Sequence, residues 1–135
     1  MMTVKEDIIC NQEEMVKWRR DLHAHPEIAF KEFRTSKFVA GYLEKFGVEV
    51  HRGMAKTGVV GRLKVGNGNR AIALRADMDA LPLEENNNFE HRSEVSGMMH
   101  ACGHDGHTTM LLGAAKYLAK NKSFDGTVYF IFQPA

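Results

Sequence analysis

The sequence predicts an α/β fold, a layered αβα arrangement around a mixed β-sheet, within one domain. Apolar residues recur at helical spacing in two stretches before residue 47. Three short strand-like runs follow, then one helical run and a last strand-like run. A Gly/Asn turn between the second and third strands predicts an antiparallel hairpin. The helical run before the last strand predicts a crossover to a parallel neighbour.

The first helix is expected over 12–24, with Met15, Trp18 and Leu22 on its apolar side and Asn11 as N-cap. Pro26 ends it by driving residue 25 out of helical geometry. His23 and His25 read as structural, since imidazolium is favourable at a helix C-terminus. The second helix, 32–46, has a stripe of Phe38, Val39, Tyr42, Leu43 and Phe46, closed by Gly47. Strands are expected at 48–51 and 58–65. Gly66-Asn67-Gly68-Asn69 then turns the chain into a third strand, 70–76. A phosphate loop is excluded at these glycines because a strand, not a helix, follows them. The unbroken run Ala71-Ile72-Ala73-Leu74 predicts a strand covered on both faces, central in the sheet. Residues 84–97 are polar and read as a mobile surface excursion. A helix over 105–120 carries His107, Leu111, Ala114 and Leu118 on one face. The strand 127–133 follows and also reads as buried.

The densest chemistry lies in His100-Ala101-Cys102-Gly103-His104-Asp105-Gly106-His107. Thiolate and imidazole ligands at this density suit zinc, manganese or a similar divalent ion. Cys102 and His104, two apart, face opposite ways on a helix but the same way on an extended loop, which Gly103 and Gly106 permit. A core cysteine or a capping histidine would explain one residue each, not five within eight. A second group, Asp77-Met78-Asp79, follows the 70–76 strand directly, and chemistry in open α/β sheets gathers beyond strand carboxyl ends. Asp77 reads equally as a solvated turn residue or a site residue.

The 135 residues carry a formal net charge of +1, with 18 basic and 17 acidic side chains interleaved. No nucleic-acid or membrane-surface partner is therefore expected. Only two cysteines occur, far apart, so no disulfide framework and a reducing compartment are expected. Without a signal-peptide pattern or an apolar run long enough to span a bilayer, the reading is a soluble, cytoplasmic protein.

Four segments carry a resemblance. They are Trp18-Arg19-Arg20-Asp21-Leu22-His23-Ala24-His25-Pro26-Glu27, then Ala76-Asp77-Met78-Asp79-Ala80-Leu81-Pro82, then Met99 to His107, and finally Phe132-Gln133-Pro134-Ala135. Together they resemble the N-terminal part of the M20 metallopeptidase family, in its amidohydrolase branch of hippurate hydrolases, N-acyl-amino-acid deacetylases and plant auxin-conjugate hydrolases. The resemblance implies the front part of a zinc-peptidase-like catalytic domain, with residues 1–135 forming a partial domain. It implies hydrolysis of the amide bond of small-molecule N-acyl amino acids by two divalent ions, zinc or manganese, with cobalt or nickel also suited. Cys102 and His104 are implied as metal ligands, and Asp79 as the aspartate serving the catalytic site from behind. In such relatives a Glu-Glu pair, the general base and a further ligand, follows the Gln-Pro-Ala segment. Further histidine ligands and a dimerisation domain come later. The chain is therefore expected to be a front piece, inactive alone and a poor metal binder with two ligands. Its last strand is expected to leave an apolar edge open to self-association. Two alternatives remain open: a Cys102 thiol hydrolase, which would survive a chelator, and a non-catalytic metal-binding or interaction fragment.

Overall fold

A computed structural model describes residues 3–135. The order is α1 (Val4–Cys10), α2 (Gln12–Ala24), α3 (Phe33–Lys45), β1 (Glu49–Met54), β2 (Gly58–Val65), β3 (Ala71–Asp77), α4 (His104–Lys120) and β4 (Gly126–Gln133). The four strands form one mixed sheet in the order β1-β2-β4-β3. β4 runs antiparallel to β2 and parallel to β3, so α4 is the crossover of a β-α-β unit, as expected.

The order of strands departs from the sequence reading. β2 and β3 are not a hairpin, because β4 lies between them. Residues 66–70 instead cross the start of β4, where the Gly68 amide donates to Asp125 Oδ1 (2.7 Å) and the Thr127 amide to Arg70 O (3.0 Å). A Cβ at Gly68 would stand 2.7 Å from Asp125 O, so the glycine is needed for this passage rather than for a two-strand turn. β3 is consequently an edge strand rather than a central one. Ala71, Ile72 and Ala73 are exposed, Ile72 by 58%. The open apolar edge belongs to β3, and β4 is paired on both sides.

Packing follows the predicted stripes in α2 and α3, whereas α4 turns Leu111, Leu112 and Ala115 inward and leaves His107 and Met110 exposed. Val128, Phe130 and Phe132 alternate along β4 into a core shared with Val59 and Leu63 of β2, Val39 and Leu43 of α3, and Leu111, Leu112 and Ala115 of α4. Trp18 of α2 joins it, its ring 4.8 Å from Tyr42. Burying side chains of this size contributes about 1.5–3 kcal/mol each. The helix α1 was not anticipated. A capping box starts it: the Thr3 amide donates to Glu6 (2.7 Å), and the Glu6 amide to Thr3 Oγ1 (3.3 Å). The buried Asp7 ties α1 to α4 by accepting from Lys120 Nζ (2.8 Å). Asn11 precedes α2 but does not cap it through its side chain, which donates to Asp7 O (2.6 Å).

Two further arrangements position the site. The segment after β3 is held from behind, by the Ala80 amide on Glu27 O (2.8 Å) and the paired backbones of Leu81 and Met99. Residues 84–97 are tethered rather than loose. Glu85 accepts from Asn87 (2.9 Å) and the Ser93 amide (2.5 Å), and the Glu94 amide donates to Ala24 O (2.8 Å) at the end of α2. No helix of the described residues is long and apolar enough to cross a membrane.

Candidate metal centre

The end of β3 meets the start of α4. Met78 is fully buried, so the strand's alternation turns the side chains on either side of it, Asp77 and Asp79, the other way. Gly103, at φ +81°, occupies the N-cap of α4, and His104 and His107 stand three apart in its first turn, on one face. The four side chains meet there. His104 Nδ1 lies 2.8 Å from Asp79 Oδ1 and 2.9 Å from the Asp79 carbonyl. Two acceptors around Nδ1 require the proton there, which leaves the lone pair on Nε2. That Nε2 lies 3.5 Å from Asp77 Oδ2, and the other Asp77 oxygen is 2.7 Å from His107 Nδ1. The two imidazoles stack with centroids 5.4 Å apart. Thr108 Oγ1 donates to Asp77 O (3.1 Å), joining helix to strand. Burial pushes the Asp77 carboxyl up, but the hydrogen bond with His107 and the nearby imidazoles outweigh it and hold its pKa below the usual value.

One ligand atom from each of Asp77, His104 and His107 lies within 4.8 Å of the others. This set, one carboxylate and two imidazoles, suits zinc, manganese or cobalt by donor chemistry. Cys102 is exposed in the turn before α4 and lies outside that three-residue group. The structure thus brings Asp79 to His104 and adds Asp77, which the sequence left open. It also adds His107, which helical periodicity had placed on the packing face of α4. The signal for His107 was present, since residues three apart share a helix face, but apolar neighbours masked it.

A second group lies on the other side of α4's first turn. His23 directs Nδ1 to Asp105 Oδ2 (2.8 Å) and Nε2 to Glu85 Oε1 (3.1 Å). Asp105 also faces Arg19 Nε at 3.4 Å. His100 is buried between the groups with neither ring nitrogen hydrogen-bonded, and burial holds its pKa well below the usual value.

Residues 73–135, which hold all the metal-centre residues, match the model of peptidase family M20/M25/M40. The chain is 52% identical over 134 residues to the hippurate hydrolase of Campylobacter jejuni, covering 99% of this chain and 35% of that protein. The chain belongs to peptidase family M20. This M20 chain is also 49% identical over 124 residues to the N-acyl-L-amino acid amidohydrolase of Geobacillus stearothermophilus, with 90% of the chain and 33% of the relative covered. Among solved structures it superposes on the Bacillus subtilis YXEP protein, a dinuclear metal-binding peptidase of the same family, with a TM-score of 0.89. Identity there is 43%, over 94% of this chain and 36% of that one. The M20 chain thus spans about a third of the length of the relatives it matches.

Proposed function

We propose that the protein carrying this chain is a dinuclear metal amidohydrolase that cleaves the amide bond of N-acyl amino acids. Residues 1–135 form part of its catalytic domain, and Cys102 and His104 are metal ligands supported by Asp79. The observation that carries the reading is the His104–Asp79 pair. A carboxylate and a carbonyl hold Nδ1–H and present a bare Nε2 at the carboxyl end of a strand. The relatives named hippurate hydrolase and N-acyl-L-amino acid amidohydrolase support the substrate class.

Cys102 and His104 would hold divalent ions, zinc or manganese in this reading and cobalt or nickel by the same donor logic, which would supply an acidified water and a polarised amide carbonyl. The chain's own residues do the holding. Asp79 fixes the tautomer and raises the basicity of His104. Asp77 orients His107, and its register partner Gln133 brings the Phe-Gln-Pro-Ala segment to the same end of the sheet. The same reading places the protein in a reducing, cytoplasmic setting, where a chain with two cysteines keeps them as thiols. The open β3 edge is the surface on which a second chain would add. No hydrogen bond to Cys102 from a described histidine favours the thiol reading.

The test is hydrolysis of N-benzoylglycine and N-acetyl amino acids by the protein carrying this chain, with manganese or zinc. Turnover that a chelator abolishes and metal restores is expected. Turnover indifferent to the chelator but destroyed by Cys102→Ala would move the assignment to a thiol hydrolase.

A further inference from the structure

A cavity of about 320 Å³ lies on the side of α4 away from β3, between α2 and the 84–97 segment. That volume is near the lower end for small-molecule sites, roughly 300–1,000 Å³. Arg19 and Arg20 of α2 line it, and Asp105 is its one acid. Asp105 is already engaged, since its Oδ2 meets His23 Nδ1 (2.8 Å) and Arg19 Nε (3.4 Å). The neighbouring carboxylates are engaged too. Asp21 takes Arg34 on both oxygens, each at 2.9 Å, and Glu85 holds Asn87, the Ser93 amide and His23. Arg20 has no carboxylate partner among the described residues. Two arginines against one aspartate leave the lining with a surplus positive charge even before His23 is counted. A guanidinium is a planar fork of donors whose geometry matches a carboxylate.

The rest of the wall is flat and apolar. Phe89 and His91 stack with centroids 4.2 Å apart and planes 17° from parallel, and Val16 adds an aliphatic patch. Stacked rings offer an aromatic body both faces and edges to pack on. Phe89 is 38% exposed and the Arg19 side chain 60%, so an occupant reaches them without the fold opening. We propose that this cavity binds a small aromatic monocarboxylate, its carboxylate on Arg20 and Arg19 and its ring against Phe89 and His91. The surplus charge sets the sign of the ligand, the volume its size and the ring pair its body. The inference uses no residue of β3 and holds in the metal-free protein, so it stands apart from the metal reading.

The test titrates the metal-free 135-residue chain at fixed pH with benzoate, benzamide, acetate and inorganic phosphate. Calorimetry reads the affinity, and the NMR signals of the His91 and His23 rings read the place. Benzoate is expected to bind and to move both signals. Benzamide has the same shape without the charge, and acetate has the charge without the ring; each is expected to bind at least about tenfold more weakly, as is phosphate. Arg20→Gln is expected to weaken benzoate binding about tenfold or more, the loss of one charge-assisted hydrogen bond. Phe89→Ala is expected to weaken benzoate and leave acetate unchanged. Benzoate that does not bind, that binds no better than benzamide, acetate or phosphate, or that binds Arg20→Gln as tightly as the unaltered chain overturns the inference. Circular dichroism checks the fold of each variant. Should Arg20→Gln not fold, Phe89→Ala decides alone, by whether the preference for benzoate over acetate disappears. Either result leaves the amidohydrolase reading where the chelator experiment puts it.

Discussion

Two histidine–carboxylate groups flank the first turn of α4, built from the same residue types and differing in what they leave free. His23 has both nitrogens committed, to Asp105 and to Glu85, with side chains 10%, 1% and 2% exposed. Burial pulls its pKa down, but the hydrogen bonds to Glu85 and Asp105 outweigh this and raise it above 6.5. It is a closed group: a buried imidazole, its charged form favoured by two carboxylates, that staples α2, the 84–97 segment and α4 together. His104 commits one nitrogen to Asp79 and leaves Nε2 facing Asp77. It is an open group. A histidine flanked by two carboxylates is therefore no signature of function by itself; the uncommitted nitrogen makes the difference.

Opening the closed group has the largest expected effect. Asp105→Ala removes one anion from a buried pair and leaves the His23 charge half compensated. Breaking a buried ion pair in this way costs about 3–5 kcal/mol. Thermal unfolding is expected to fall by roughly 10 °C or more for a chain of this size. A loss under 1 kcal/mol would mean that the pair contributes little and that His23 is free for another task.

The sequence showed these groups unequally. Periodicity is local, so the bounds of α2 and β2 agree with the reading, and those of α3, α4 and β4 fall within a residue of it. Strand order is not local. It turns on Asp125 holding Gly68, 57 positions away, and no pattern within either stretch signals that contact. Glu85 looked like a loop residue because its partner His23 lies 62 positions away. α1 was missed because it is short and its apolar side, Ile8 and Ile9, stays exposed. At the open group the motif resemblance found His104 and Asp79. Asp77 and His107 emerged only when β3 and α4 were set side by side.

The next effect tests the open group directly. Asp79→Asn keeps the shape but replaces the carboxylate that accepts from His104 Nδ1, so ring basicity and tautomer are less well fixed. Metal affinity is expected to drop about 10–100-fold, with unfolding temperature nearly unchanged. The same substitution measured by stability alone would look silent, which is how it separates this group from the other. Unaltered affinity would return Asp79 to an ordinary turn residue.

Glu85→Gln is smaller again and has a pH signature. Burial pushes the Glu85 carboxyl up, but Asn87, the Ser93 amide and His23 overcome this and lower it from 4.5 to about 2. A depressed carboxylate adds stability that is present above 4.5 and lost as pH falls through about 2. The raised imidazole of His23 adds stability that is present below 6.5 and lost as pH rises through its folded value. Both contributions are complete only between 4.5 and 6.5. In that window Glu85→Gln is expected to cost about 1.5 kcal/mol, the lower end for hydrogen bonds to charged groups. The cost should shrink toward pH 2, and denaturant titrations across pH will show it. A deficit that is constant with pH would assign the loss to packing.

The smallest effect comes from His91, whose ring lies 5.8 Å from His23 and stacks on Phe89 at 4.2 Å. These rings wall a cavity of about 320 Å³ that Arg19, Arg20 and Asp105 also line. His91 makes no ion pair with the closed group, so its part is to shelter the His23 ring from water. Aromatic pairs of this kind are worth about 0.5–1.5 kcal/mol beyond the area they bury. Because His91 is itself partly exposed, His91→Ala should fall at the low end. Metal affinity should not move, because nothing connects His91 to Asp77, Asp79 or His104. The informative measurement is the NMR titration of His23 in this variant. More water around the ring weakens both the burial that lowers its pKa and the ion pairs that raise it, and the ion pairs prevail in the intact fold. The His23 pKa should therefore drift back toward 6.5 from above. A rise instead would mean that burial dominates at His23, and the closed group would then be held by packing rather than by charge.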